Sequence, residues 1–263
     1  MSALVRVSAV SFLNARPLVA GLGAEQALFD LRFDLPSVCA ERLHAGDVDL
    51  GLIPSFEYLR GDYRLVPGMA IGSDGPILSV ALFTAVPMAR IRRLALDTSS
   101  RTSVALTHVL CARRWGIAPE MVPAAPSLDA MLATADAALV IGDPALAIDP
   151  VPAGVEKVDL GEAWRELTGL PFVYAAWAGR PNALAPAHVA ALAAARDRGL
   201  LHLDAIASEA AGGDPARAGT FASYLRHNLR YTFGPREQAG LERFHALAAE
   251  VGHTTRALPL RFY

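Results

Sequence analysis

The sequence predicts an α/β protein that folds into two lobes. Short β-branched and apolar runs alternate with amphipathic stretches through the first half of the 263 residues, a pattern typical of βα units and a largely parallel sheet. The same alternation starts afresh after Pro87, which indicates a second lobe. Apolar residues make up 53% of the chain and charged residues 19%, so a large buried core can form.

The first lobe is predicted to begin with three strands and two helices. The strands are expected at residues 4–10, 28–33 and 48–53, and the helices at residues 14–22 and 37–44. Pro36 marks the start of the second helix because proline is favoured in a first helical turn. Pro54 then opens a short helix through Tyr58. Ligands of open sheets bind beyond the carboxyl ends of strands, so the junction from Ile53 to Ser55 is a candidate binding site.

The chain is predicted to pass between the lobes twice. Strand-like runs at residues 77–84 and 171–177 are the crossings, and residues 186–252 are almost wholly helical. Strands at 94–96 and 137–141, with a helix at 102–115, build the second lobe. The prediction therefore assigns residues 1–84 and 176–263 to lobe one and residues 85–175 to lobe two, with a hinge and a ligand cleft between them. The same periodicity also allows a single doubly wound domain.

Composition excludes several classes of function. The formal net charge is −2 and no basic stripe occurs, so nucleic acid is not an expected partner. No window approaches ~20 uninterrupted apolar residues, which excludes a membrane span. Arg6 interrupts the first apolar run, which predicts a first strand and not an export signal. Cys39 and Cys111 form neither a metal pattern nor a disulfide framework. The sequence thus predicts a cytoplasmic protein without metal or cofactor, and leaves its oligomeric state open.

The loop at residues 11–17 lies between the first strand and the first helix. Free backbone N–H groups and a partial positive charge at such a turn suit a carboxylate or an oxyanion. Asn14 adds a donor and an acceptor to this loop. Asn14 could equally cap the helix, and Arg16 could be a surface ion-pair partner.

The loop at residues 97–103 is dense in donors for a carboxylate. The donors are the hydroxyls of Thr98, Ser99, Ser100, Thr102 and Ser103 and the guanidinium of Arg101. One hydroxyl is enough to cap the following helix, so the cluster favours anion binding, with capping and a turn tied by Asp97 as the alternatives. The loop lacks the glycines and lysine of a phosphate loop, so no nucleotide is implied.

Two further candidate sites lie within or just after strand-like runs. Ser79 is the polar residue within the run at 77–84. A buried hydroxyl usually bonds the backbone, but one between two lobes could touch a ligand. Gly142 and Asp143 follow the run at 137–141. The Asp143 carboxylate could orient a ligand hydroxyl, or it could cap the helix that Pro144 begins.

The sequence also lacks the signatures of several kinds of catalysis. No His–Glu–His or His–Cys grouping offers a metal site, and no Gly-x-Ser-x-Gly motif predicts acyl chemistry. Clusters of donors without an evident strong base indicate either binding alone or an elimination that needs little base from the protein.

Six segments together identify a family. They are SFLNARPL (11–18), DLGLIPS (49–55), GPILSV (75–80), LDTSSRTS (96–103), IGD (141–143) and WRELTGLPFV (164–173). In this order they resemble the motifs of the chorismate dehydratases of the futalosine route to menaquinone. The resemblance covers roughly the first two thirds of the chain and little of the helical tail.

The resemblance implies a fold like that of type II periplasmic binding proteins and a hydro-lyase activity. Chorismate would lose the proton on ring carbon 3 and the hydroxyl on carbon 4, giving 3-[(1-carboxyvinyl)oxy]benzoate. By the same resemblance, Asn14 and Ser79 are the expected catalytic residues. The expected substrate-binding residues are Ser55, Ser100, Arg101, Thr102, Ser103, Gly142 and Asp143.

Two other functions stay open at this point, a cytoplasmic binding protein or sensor for a small carboxylate, and the related naphthoate-forming enzyme of the same pathway. The base for the elimination is open as well. It could be Asp143, or the substrate's own enolpyruvyl carboxylate, which we favour because an intramolecular base gains from proximity.

Overall fold

The computed structural model describes residues 4–24, 28–255 and 258–263. Residues 1–3, 25–27 and 256–257 of the predicted first lobe lie outside the described residues. The described strands are β1 (Val5–Val10), β2 (Phe29–Asp34), β3 (Leu50–Pro54), β4 (Arg64–Ser73), β5 (Val80–Thr84), β6 (Arg93–Asp97), β7 (Glu120–Ala124), β8 (Ala137–Ile141), β9 (Glu156–Asp159) and β10 (Phe172–Gly179). The described helices are α1 (Arg16–Val19), α2 (Pro36–Ala45), α3 (Arg101–Leu110), α4 (Leu128–Leu132), α5 (Asp143–Leu146), α6 (Leu160–Thr168), α7 (Pro186–Leu201), α8 (Leu203–Ala210), α9 (Pro215–Ser223) and α10 (Pro235–Glu250).

The described strands form two five-stranded sheets, as a two-lobed α/β protein requires. The first sheet has the order β2-β1-β3-β10-β4 and the second the order β7-β6-β8-β5-β9. In the first sheet β1 pairs in parallel with β2 and β3, while β10 runs antiparallel to β3 and β4. The second sheet repeats this plan, with β6 parallel to β7 and β8 and with β5 antiparallel to β8 and β9.

The chain crosses between the sheets at residues 74–79 and 169–171, and both positions differ from the predicted lobe boundaries. The prediction assigned residues 77–84 to lobe one, yet β5 lies in the second sheet. It assigned residues 172–175 to lobe two, yet they begin β10 of the first sheet. The strands in these runs, β5 and β10, are buried along their whole length, so periodicity cannot show which sheet they join.

Two elements differ from the sequence prediction near glycine and proline residues. The predicted helix at 14–22 is helical as α1 only at Arg16–Val19, and Gly21 beyond it has a φ of 78°. β4 was not predicted, because Pro67 and Gly68 interrupt its apolar run. Gly68 has a φ of 76°, a left-handed conformation that favours glycine, and the strand continues beyond it.

Aromatic packing secures the second crossing. Trp164 of α6 and Phe172 of β10 are fully buried, with ring centroids 5.1 Å apart. Phe244 of α10 lies 4.9 Å from the Phe172 ring. Such edge-to-face pairs stabilise beyond their buried area, so the helical tail fastens the chain where it re-enters the first sheet. None of the helices in the described part of the chain is long and apolar enough to cross a membrane.

Candidate active site

A cleft lies between the two sheets, at the ends of strands from both. Its polar lining comes from Asn14, Ser79, Ser100, Ser103, Tyr174 and the backbone of Gly142. Its apolar lining includes Val10, Phe12, Pro54, Ile71, Ile77 and Ile141. No lysine, arginine, histidine or carboxylate is among the described residues that line it. Any anion in this cleft would therefore be held by neutral donors and by backbone dipoles.

Asn14 reaches the cleft from the turn that follows β1. It lies in a short 3₁₀ turn, Leu13–Ala15, and no side chain caps α1. The alternative that Asn14 caps a helix is therefore wrong. Its buried Oδ1 has no hydrogen-bond partner among the described residues. A buried polar atom without a partner is costly, which makes the Asn14 amide ready to bind a ligand.

Ser79 is held in place by its backbone. Its N–H donates to the Ile77 carbonyl at 2.8 Å and its carbonyl accepts from the Gly142 N–H at 2.7 Å. Leu78, between Ile77 and Ser79, has a φ of 63°, a strained conformation for a residue with a side chain. The Asp159 carboxylate accepts the N–H groups of Ile77 and Leu78 at 2.6–3.1 Å. Asp159 therefore stabilises the turn that places Ser79 at the cleft.

Ser100 and Ser103 stand at the N-terminus of α3. Ser100 caps the helix, since its Oγ accepts from the Ser103 N–H at 3.4 Å, and the Ser103 hydroxyl donates to the same oxygen at 3.1 Å. Ser100 therefore both caps α3 and lines the cleft. The helix N-terminus adds a partial positive charge at this point. Asp97 accepts from the Ser99 N–H at 2.9 Å and ties the turn, as the alternative for that residue predicted.

Ser55 and Thr102 lie behind the wall of the cleft. The Ser55 hydroxyl donates to the Val173 carbonyl at 2.6 Å, and Thr102 Oγ1 accepts the Phe56 N–H at 3.0 Å. Both side chains are buried and their polar atoms serve the backbone. Neither side chain is among the described residues that line the cleft, and their contact with a carboxylate stays a prediction.

Arg101 points away from the cleft to a buried carboxylate. Its guanidinium pairs with Glu57 at 3.2 Å and with Glu41 at 2.9 Å. Glu57 is fully buried, and its Oε2 also lies 2.6 Å from His44 Nε2 and 3.1 Å from Arg60 Nη1. Arg101 thus belongs to an ion-pair network beneath α2 and α3 and is not among the described residues that line the cleft. Its contact with the substrate stays a prediction.

Asp143 and Gly142 join the two lobes beside the cleft. The Asp143 carboxylate accepts the Leu13 N–H at 3.0 and 3.3 Å. Burial raises the pKa of Asp143, and the Leu13 hydrogen bond opposes that effect. Gly142 has a φ of 69°, and the Phe12 ring lies where a Cβ on residue 142 would stand. Leu13 and Phe12 follow β1, whereas residues 142 and 143 follow β8, so both contacts span the lobes.

Two tyrosines at the site were missed by the sequence analysis. Tyr174 of β10 lines the cleft, with its hydroxyl 3.3 Å from Ser73 Oγ. Tyr224, beyond the end of α9, donates its hydroxyl to Ser79 Oγ at 2.7 Å. Tyr174 reaches the cleft and Tyr224 reaches Ser79 only through tertiary packing, so no local signal marks either residue. No cluster of three or more potential metal ligands occurs among the residues described.

Sequence comparison decides the family. The model of a family described as menaquinone biosynthesis matches residues 5–250. The chain belongs to this menaquinone biosynthesis family. A member with a curated description, the chorismate dehydratase of Thermus thermophilus, is 32% identical over 253 residues, which is 89% of this chain and 91% of the relative.

Solved structures show the fold that this family member shares with binding proteins. A protein of Archaeoglobus fulgidus superposes with a TM-score of 0.73 at 16% identity, covering 95% of this chain and 98% of its own. The periplasmic aliphatic sulphonate binding protein SsuA of Escherichia coli gives 0.70 at 16% identity, with 100% and 92% covered. A Candida albicans protein described as having the generic periplasmic binding protein fold gives 0.60 at 11% identity, with 100% and 99% covered. The predicted periplasmic-binding-protein-like architecture is confirmed.

Proposed function

We propose that this chain is a chorismate dehydratase, a carbon-oxygen lyase that forms 3-[(1-carboxyvinyl)oxy]benzoate from chorismate. The observation that carries the proposal is the 32% identity to a curated chorismate dehydratase over 89% of the chain. The cleft between the lobes supports it, because chorismate is a small dianion and the lining offers several neutral donors. The futalosine route and a cytoplasmic location are part of the proposal, as the sequence resemblance implies.

The first step of the proposed reaction is loss of the proton on ring carbon 3. That proton is acidic because the developing charge is conjugated with the ring carboxylate. Donors that bind this carboxylate therefore stabilise the transition state directly. We assign this role to Ser100, Ser103 and the N-terminus of α3. The assignment is supported by the two hydroxyls and the positive dipole end that they bring to the cleft lining.

The proton acceptor in this proposal is the enolpyruvyl carboxylate of the substrate. No titratable carboxylate or imidazole lines the cleft among the described residues, and Asp143 is engaged by the Leu13 N–H. The enolpyruvyl carboxylate takes the proton from carbon 3, the electron pair forms the new ring double bond, and the carbon 4–oxygen bond breaks. The departing hydroxyl receives that proton and leaves as water. Asn14 and Ser79 orient the reacting carboxylate and the departing hydroxyl.

The direct test is to mix the purified protein with chorismate and follow the enolpyruvyl benzoate by mass and ultraviolet absorbance. Heat-treated protein and an Asn14→Ala, Ser79→Ala double variant are the controls, because chorismate also decomposes slowly without enzyme. Product above both controls is the expected result. Tight binding of chorismate without product would contradict the proposal and favour a sensor.

A further inference from the structure

Tyr224 is buried behind Ser79 and outside the group of residues that line the cleft. It begins a widened helical turn, Tyr224–Asn228, that continues α9. Such wide turns within helices are frequent at functional sites. The tyrosine is 2% exposed, and its hydroxyl donates to Ser79 Oγ at 2.7 Å. The helical tail thus supplies a hydrogen-bond donor to a serine of the other lobe.

The neighbours of Tyr224 keep it a neutral donor. Burial raises the pKa of its phenol, the hydrogen bond with the Ser79 side chain opposes this, and the charge of Asp143 raises the pKa further. A second contact fixes the turn beside the first crossing, because Asn228 Nδ2 donates to the Pro76 carbonyl at 3.0 Å. The phenol is therefore protonated at neutral pH and immobilised against Ser79.

A hydroxyl that accepts one hydrogen bond has its own proton to donate elsewhere. The Ser79 oxygen accepts from Tyr224, and the Ser79 backbone is fixed on both sides by Ile77 and Gly142. Ser79 lines the cleft, so its own proton can be donated to a ligand bound there. Chains of hydrogen bonds also polarise one another, so the bond from Tyr224 makes Ser79 a stronger donor.

We propose that Tyr224 is a positioning residue for the elimination, which it serves by directing the Ser79 proton toward the departing hydroxyl of the substrate. This inference rests on the proposed function and deepens it. Tyr224 transfers no proton and does not touch the substrate. Its effect passes entirely through Ser79, which donates a hydrogen bond while the proton from carbon 3 leaves with the water.

The test is a double-mutant cycle with Tyr224→Phe and Ser79→Ala. Phenylalanine keeps the ring and removes the hydroxyl. We expect Tyr224→Phe to lower kcat about tenfold, the effect of one ordinary hydrogen bond, with KM for chorismate changed less than about twofold. In the Ser79→Ala background the same substitution should change kcat hardly at all.

Tyr58→Phe is the matched control. Tyr58 is also buried, and its hydroxyl donates to the Pro259 carbonyl at 2.8 Å and accepts the Arg261 N–H at 3.0 Å. It lies outside the cleft lining, so its loss should lower Tm and leave kcat unchanged. Circular dichroism and Tm, measured for every variant, separate loss of fold from loss of positioning.

Three results would overturn the inference. They are an unchanged kcat in Tyr224→Phe, an equal fall in kcat with and without Ser79, and a fall that tracks Tm as in Tyr58→Phe. The wild-type protein separates this failure from that of the proposed function. If wild type makes no product from chorismate, both are wrong. If wild type is active and the cycle is additive, only the role of Tyr224 is wrong.

Discussion

At the residue scale, Thr102 and Ser103 show how neighbours in one helical turn divide their roles. The Thr102 side chain is fully buried against the Phe56 N–H, while Ser103 lines the cleft. We expect Ser103→Ala to weaken chorismate binding several-fold. Thr102→Val should instead destabilise the protein by about 0.5–1.5 kcal/mol, because the part-buried Phe56 N–H loses its acceptor. Titration calorimetry and thermal melts of both variants separate the two effects, and weaker binding in Thr102→Val alone would reverse the assignment.

The role of Asp143 is the second prediction at this scale. An asparagine at position 143 can still accept the Leu13 N–H but cannot act as a base. We therefore expect Asp143→Asn to keep turnover within about tenfold of wild type. Asn14→Ala and Ser79→Ala should lower kcat by about 10²–10³, the usual loss for one donor at a transition state. The measurement is kcat at saturating chorismate. Loss of turnover in Asp143→Asn alone, with binding retained, would make Asp143 the base.

At the scale of elements, the buried Glu57 carboxylate connects α2, α3 and the helical turn between β3 and β4. Burial, the largest influence, raises the pKa of Glu57, but the hydrogen bond with His44 and the charges of Arg101 and Arg60 outweigh it, so the net pKa is lowered from 4.5. The Glu57 carboxylate therefore binds a proton more tightly in the unfolded chain than in the folded protein. The stabilisation is therefore present above pH 4.5 and is lost as the pH falls through the lowered value in the folded protein.

A third prediction follows for this network. Below pH 4.5, the free energy of unfolding should fall less steeply with decreasing pH in the Glu57→Gln variant than in wild type. Urea unfolding at several pH values measures this difference. Arg101→Gln should lower Tm at neutral pH and leave KM for chorismate unchanged, since Arg101 faces Glu57 and Glu41. A raised KM with an unchanged Tm would instead show that Arg101 contacts the substrate.

At the scale of the whole molecule, contacts between the lobes lie beside the cleft. They are the Leu13–Asp143 hydrogen bond, the packing of Phe12 on Gly142 and the Tyr224–Ser79 hydrogen bond. Two-lobed proteins of this kind generally close by hinge motion on binding. The structure thus shows interlobe bonds that a closed form would need.

The fourth prediction concerns that closure. Asp143→Ala removes the acceptor for the Leu13 N–H, while Asp143→Asn keeps it. We expect the ligand-free Asp143→Ala protein to have a larger radius of gyration than Asp143→Asn in small-angle X-ray scattering. Adding chorismate should reduce the difference in radius of gyration between the two variants. Identical scattering in both variants without ligand would show that this bond does not hold the lobes.

The sequence by itself determined the class of fold, the family and most of the loops that reach the site. Periodicity identified β8 at residues 137–141 without error, and the loops after β1, β6 and β8 were all named as candidates. These features are local, since a strand, a cap or a donor-rich turn is encoded by neighbouring residues.

Tertiary structure decided which side chains of those loops face the cleft. Ser100 and Ser103 line it while Thr102 and Arg101, in the same turn, point to Phe56 and Glu57. The direction depends on how α3 packs against the turn that follows β3. Ser79 likewise accepts a hydrogen bond from Tyr224, 145 residues further along the chain. The turn before Ser79 is held by Asp159, which accepts the Leu78 N–H from 81 residues away. Contacts over such separations form only when the two lobes and the helical tail assemble, so no pattern of nearby residues records them.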